Sequence, residues 1–318
     1  MSALKAIRRT AGALVVTATV AALLVVGGRP AAAGDEGPLS DSFHMSQAQV
    51  SGSYLPIPLR LACNQGRAAI FWYGKGSAPD SLWTEIISQP DGTLDYTVRK
   101  VSVRGVYKPF SGDFDGNGCT DIFWYAPGPE PDYVWWYGAN LAVTSTRVNV
   151  NGTYTPLVGS WDDSADYASD IFWYAPGATR ESIWTGKTSK SFVARGAPQV
   201  AGTYRPAVYG DESILWHAPG TAQDRWWSQV AYTRSTPVSQ QAITVNESYQ
   251  AYSVLGRPFL YQPGPGLDRA VFGYSGSSLT TTVGNVPGGP HVVGASAESA
   301  LIVFHAPGPE TDHIWSRG

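Results

Sequence analysis

The residues with the most specific chemistry are oxygen donors at alternate positions of one short loop: Asp113, Asp115, Asn117, Cys119 and Asp121. The order Asp-x-Asp-x-Asn-x-Cys-x-Asp puts side-chain oxygens at positions 1, 3, 5 and 9, and position 7, Cys119, offers its backbone carbonyl. Gly116 and Gly118 permit the left-handed turns that so tight a wrap needs. A hard cation takes about six to eight oxygens at roughly 2.3–2.6 Å, and Ca²⁺ suits this donor set best. Trp124 stands at position 12, where the helix–loop–helix calcium loop carries a bidentate glutamate, so this loop is of another kind. A metal-free turn held by Asx hydrogen bonds is the alternative.

Other reactive groups fit structural roles better. The chain has no Gly-x-Ser-x-Gly elbow, no His-Glu-x-x-His and no Cys–His pair at ligand spacing. Asp80, Asp132, Glu181, Asp224 and Asp312 recur in register and could serve as glycosidase carboxylates if two stood about 5–9.5 Å apart. As a repeated column they suit a turn-capping role instead. Indole faces stack on sugar rings, yet a fixed aromatic column such as Trp83, Trp135, Trp184, Trp227 and Trp315 belongs more naturally in packing. The aromatics that no column demands, Trp136, Tyr137, Trp161 and Trp226, are therefore the ligand-contact candidates.

The elements that position these residues are repeats. A turn tyrosine recurs at Tyr54, Tyr107, Tyr154, Tyr204 and Tyr249, with His291 in the sixth place. An apolar strand follows, starting at Ile70, Ile122, Ile171, Ile214, Val271 and Ile302, with Trp72, Trp124, Trp173 and Trp216 two positions on. His217 and His305 replace its tyrosine. Ala-Pro-Gly ends four copies, and the acid and tryptophan columns come next. The fifth copy departs, with Gly273, Thr281 and Gly284 in the columns. Short strands, four to a unit, with no sustained helical period, predict an all-β, six-bladed β-propeller of four-stranded antiparallel blades. Seven blades, with one hidden in the irregular 250–300 region, is the alternative. The last copy stops after its third strand, so an N-terminal strand within 42–53 is expected to complete the last blade and close the ring.

The stretch Gly112-Asp-Phe-Asp-Gly-Asn-Gly-x-x-Asp121-Ile-Phe, with its tandem copies, resembles the FG-GAP or VCBS repeat family, whose propellers are similar to the integrin α-subunit head. The Ile-Phe-Trp-Tyr-Ala-Pro-Gly-x-x-x-Asp-x-x-Trp unit resembles exported actinobacterial members. The resemblance covers about residues 42–318. It implies a propeller, secretion and structural calcium on Asp113, Asp115, Asn117, the Cys119 carbonyl and Asp121, and it implies no single activity. The third copy keeps Asp162, Asp163 and Asp166 but lacks both glycines, and the other copies have lost the pattern.

Residues 1–33 read as a secretory signal peptide: Lys5, Arg8 and Arg9, an apolar run from Ala11 to Val26, then Ala31-Ala32-Ala33. That run is shorter than the roughly 20 residues of a membrane span. A polar leader is expected over 34–41. Residues 1–33 carry four basic residues and no acid, so the formal charge of −3 becomes −7 without them. An acidic chain with 15% charged residues and 12% aromatics disfavours nucleic acid and anionic membranes as partners. The two cysteines, Cys63 and Cys119, precede the same strand in adjacent repeats; a disulfide suits an exported chain, and two buried thiols are the alternative. The expectation is a secreted, calcium-stabilised binding module for carbohydrate or an extracellular protein. A polysaccharide-acting hydrolase or lyase and a structural cell-surface adhesion protein are the alternatives.

Overall fold

The computed structural model describes residues 44–316 apart from 62, 64–66, 163, 165, 178–179, 211, 229, 231–238, 265, 287–290, 297–298 and 300. The expected signal peptide and leader lie outside the described residues. The first strand, β1 (His44–Ala48), precedes blade one, which is β2 (Leu55–Leu61), β3 (Arg67–Tyr73), β4 (Asp80–Ser88) and β5 (Leu94–Val101). Blade two is β6 (Lys108–Gly112), β7 (Asp121–Tyr125), β8 (Asp132–Tyr137) and β9 (Val143–Val148). Blade three is β10 (Thr155–Gly159), β11 (Asp170–Tyr174), β12 (Ser182–Lys187) and β13 (Ser191–Gly196). Blade four is β14 (Arg205–Tyr209), β15 (Ser213–His217), β16 (Asp224–Ser228) and β17 (Ser239–Ile243). Blade five is β18 (Gln250–Val254), β19 (Arg257–Tyr261), β20 (Asp268–Ser275) and β21 (Ser278–Gly284). Blade six is β22 (Val292–Gly294), β23 (Leu301–His305) and β24 (Asp312–Ser316), and β1 supplies its outer strand, pairing antiparallel from His44 opposite Ser316 to Ala48 opposite Asp312. The ring therefore has six blades and closes through its N-terminal strand. Among the described residues no helix is long and apolar enough to cross a membrane.

The fifth blade corrects the repeat register. Tyr261 occupies the strand-tyrosine place, Asp268 the acid place, and Val271 stands where the other blades carry tryptophan. Pro258 and Leu260 replace the isoleucine and tryptophan of the second strand, which is why its pattern is hidden. Val271 is thus in the third strand, not the second, and Gly273, Thr281 and Gly284 belong to no column.

Core packing lies between blades. The second-strand tryptophan of one blade meets the tyrosine of the blade before it edge to face: Tyr73–Trp124, Tyr125–Trp173 and Tyr174–Trp216, with centroids 5.2, 5.3 and 5.0 Å apart. The tryptophan column packs against the same indoles, as in Trp124–Trp135 at 5.1 Å and Trp216–Trp227 at 5.1 Å. Such T-shaped pairs add about 0.5–1.5 kcal/mol each beyond the area they bury.

Two polar devices repeat on the face that carries the second-to-third-strand turns. In five blades the column carboxylate clamps two backbone amides. Asp132 accepts from Ala126 N–H at 2.7 Å and from Val150 N–H at 2.6 Å, and Asp80, Asp224, Asp268 and Asp312 do the same. The strand tyrosine or histidine then staples each blade to the next. Tyr125 Oη donates to Gly152 O and accepts from Tyr154 N–H, both at 2.8 Å. Equivalent bonds run from Tyr107, Tyr204 and His291 N–H to Tyr73, Tyr174 and Tyr261 Oη. His217 and His305 accept from Tyr249 and Tyr54 N–H at Nε2, which leaves their Nδ1–H to donate to Asp224 and Asp312. The bond from Tyr54 to His305 closes the ring.

Candidate metal centre and the irregular face

The acidic loop joins β6 to β7, and its neighbours fix it tightly. Thr120 N–H donates to Arg60 O at 2.8 Å, and Ser169 N–H of blade three donates to Asp113 O at 2.7 Å. The Cys63–Cys119 disulfide ties it to the matching loop of blade one, leaving Cys119 only its carbonyl as a donor. Gly116 has φ +67°, and a Cβ there would lie 2.4 Å from Asp166 O, so glycine is required on both counts.

Within the loop, Asp113, Asp115 and Asp121 bring carboxylate oxygens within 4.8 Å of one another, and all three are buried. Backbone amides orient them. Asp113 accepts from Asn117 and Gly118 N–H, Asp115 from Asn117 N–H, and Asp121 from Phe114 and Tyr137 N–H at 3.0 and 2.7 Å. Asn117 is turned to the backbone: its Oδ1 accepts from Cys119 N–H and its Nδ2 donates to Tyr137 O. Burial, then the charges of Asp115 and Asp113, push the Asp121 carboxyl up to about 9, against the two amides that hold it down. Burial also raises Asp115, opposed by Asn117 N–H and by Lys190, whose Nζ is 3.9 Å from Asp115 Oδ2. A cluster so placed could hold a cation, and its oxygen donors are those a hard ion takes.

Blade three shows how the same loop is neutralised from within. Asp170 accepts from Trp161 and Gly186 N–H just as Asp121 does from Phe114 and Tyr137. Lys187 Nζ lies 3.4 Å from Asp162 Oδ2 and 3.0 Å from Asp166 Oδ2. In blade two the equivalent of Lys187 is Gly138, directly after Tyr137, so that ammonium is absent.

The two faces of the ring differ. In blades one to five the connections between strands one and two and between strands three and four emerge on one face, and the others on the opposite face; blade six shares the first of these connections. Among the described residues, six of the seven non-glycine residues at positive φ lie in connections on the first of these faces, Cys63, Asn140, Leu141, Tyr167, Lys190 and Leu255, and the seventh, Glu85, stands at the bulge of β4, level with Tyr137 at the end of β8. The acidic loop and the disulfide are there too. The clamps and staples occupy the other face.

No family model matches the chain, and no curated protein matches it. Among solved structures it is similar to a Penicillium chrysogenum α-L-arabinanase complexed with arabinobiose, with 8% identity, a TM-score of 0.48, and 86% of this chain and 98% of that one covered. It is similar also to a luciferin-regenerating enzyme, with 10% identity, a TM-score of 0.46, and 86% and 95% covered.

The aromatic ligand candidates need correction. Trp136, Tyr137, Trp161 and Trp226 are all buried and offer no face to a sugar. Trp136 packs on Phe192 and donates to Thr146, Trp161 packs on Phe172 and donates to Leu157 O, and Trp226 lies between Tyr209 and Tyr274. They fill space between blades that the regular columns leave open, and Tyr137 joins the core shared by blades one and two. The Trp column is likewise buried or half-buried. The acid column, with its two amides per carboxylate, is structural in five blades. A cavity of about 220 Å³ between the innermost strands of blades one, two, five and six has apolar walls, including Ile57, Phe110 and Val293.

Proposed function

We propose that this chain is a secreted recognition module for an extracellular carbohydrate or protein, and that a Ca²⁺ ion in the blade-two loop organises its working face. The observation that carries this reading is the asymmetry of the faces. Strained backbone is retained where the surroundings over-determine it, and it clusters where binding needs a fixed shape. Loops on a rigid ring are the natural place for such a surface. The donors are Asp113, Asp115 and Asp121, with the Cys119 carbonyl and Asn117 completing the set after a small turn of its amide. The likeness of the loop to FG-GAP or VCBS repeats supports calcium, and the disulfide suits an oxidising compartment. Because the tryptophans are internal, recognition on this face works through polar side chains and backbone rather than indole stacking.

The test is a glycan and extracellular-protein array with the purified chain in calcium, followed by hydrogen exchange on the bound complex. The reading expects protection at 85–93, 113–121, 138–142 and 166–168. Protection confined to the turns around Gly128, Gly152 or Gly308, on the opposite face, would contradict it.

A further inference from the structure

Three of the seven strained residues, Glu85, Asn140 and Leu141, line one cavity of about 260 Å³ between blades one and two. Near Glu85 the β4–β5 pairing slips between Thr84 and Ile87, a bulge that turns the Glu85 side chain aside. Its carboxylate receives Arg67 Nη1 at 2.6 Å and Thr97 Oγ1 at 3.3 Å. Arg99, on the neighbouring strand, also lines the cavity, and its guanidinium makes no hydrogen bond or ion pair among the described residues. Two arginines and one glutamate thus line the cavity, a net positive set on an acidic chain. Leu61 and Ala69 give it a buried apolar floor. Asn140 and Leu141 form a wall that continues from Tyr137 and Gly138, which the acidic loop holds through Asn117 and Asp121.

We propose that this cavity binds the carboxylate-bearing ring of an acidic sugar, a uronate unit of an extracellular polysaccharide; the proposal rests on the recognition reading above. The Arg99 guanidinium, unpaired among the described residues, matches a carboxylate bidentately. The planar ends of Arg67, Glu85 and Asn140 suit pairs of ring hydroxyls, and the apolar floor suits the C–H face of the ring. The volume is below the roughly 300–1,000 Å³ of sites for drug-sized ligands, which favours a single sugar ring over a peptide segment.

The experiment is calorimetric titration of the full chain, in calcium, with tetragalacturonate, neutral tetragalactose and tetraglutamate. Tetragalacturonate is expected to bind and the other two to bind at least about tenfold more weakly. Arg99→Met is expected to weaken it by about tenfold or more with unchanged Tm, because Arg99 is exposed. Glu85→Gly, which relieves the left-handed backbone, is expected to hold or raise Tm while weakening binding, a pattern that a merely structural bulge does not produce. Equal binding of tetraglutamate, or an Arg99→Met variant that binds as the parent does, would overturn the proposal. No tetragalacturonate binding alongside array hits of another kind overturns this proposal and leaves the recognition reading standing. A blank array together with a blank titration overturns both.

Discussion

Removing one phenolic oxygen should loosen a single blade junction by a calculable amount. Tyr125→Phe deletes the buried hydroxyl that donates to Gly152 O and accepts from Tyr154 N–H. Gly152 O keeps a bond from Gly128 N–H at 3.2 Å, so the main loss is the acceptor for Tyr154. An orphaned buried donor costs about 1–3 kcal/mol. Tyr154 is half-buried, so water recovers part of this, and about 2 kcal/mol is expected. For a ring of this size, with an unfolding entropy of about 2.1 cal/mol/K per residue, that corresponds to a Tm fall of roughly 3–4 °C. Tyr125→His should recover some of the loss, because Asp132 is placed to accept Nδ1–H as Asp224 and Asp312 do for His217 and His305. Tyr133→Phe, at a half-buried tyrosine with no hydroxyl partner among the described residues, is the control. Calorimetry gives the stabilities, and hydrogen exchange reads the Tyr154 amide directly. A Tyr125→Phe variant within about 1 °C of the parent, with Tyr154 still protected, would refute the staple.

Glu181 is the one clamp carboxylate whose buried oxygens meet no hydrogen-bond geometry among the described residues, although the Ala175 and Val200 amides are near. Glu181→Asp should shorten the side chain into the clamp and raise stability by about 1–2 kcal/mol, read as a higher Tm; a lower Tm would count against the clamp geometry. Burial, then the charge of neighbouring His313, with a smaller push from His305 and opposed by Asp312, holds the His291 imidazole down to about 4. Its folded pKa is below the unfolded value of about 6.5, so its stabilisation is complete above pH 6.5 or so and is lost as pH falls towards about 4. Because buried acids such as Asp268, raised to about 6, change stability in the opposite sense over that window, the test is the difference in unfolding midpoints between the parent and His291→Tyr: the parent should lose of order 3 kcal/mol more, and equal pH profiles would exclude this group. The disulfide spans 56 residues, for which the chain-entropy argument gives up to about 4 kcal/mol. Denaturant titration of a Cys63→Ala, Cys119→Ala double variant should show a loss approaching that figure, and no loss would mean the ring constrains those loops unaided.

The repeat made most of the fold legible, because its columns are the residues each blade needs: an indole against the preceding tyrosine, and a carboxylate at the head of strand three. The local half of the clamp, Asp132 to Ala126, could be read from the sequence as turn chemistry. Its distant half, Val150, could not, since it depends on where the fourth strand leaves the blade. Blade five hides its register because Pro258 and Leu260 erase the Ile-x-Trp signal, while Val271 imitates it from the third strand. The acidic loop was readable from Asp113 to Asp121 by spacing alone, whereas the meaning of Gly138 emerged only beside Lys187. Trp136, Trp161 and Trp226 misled because departure from a column says nothing about which side of a strand faces a neighbouring blade. The Arg99 cavity has no linear signature at all, as it is assembled by a bulge at Glu85 and a turn from another blade.

The most direct test of the central claim is a calcium titration of the chelator-stripped chain by calorimetry, with elemental analysis of the chain as purified. One calcium per chain is expected, with a stability gain of about 2.7 kcal/mol at a hundredfold excess over Kd and loss of the binding in Asp115→Asn, whose carboxylate has the fewest structural bonds in the loop. No heat of binding, no metal in the purified chain and an unmoved Tm would contradict it.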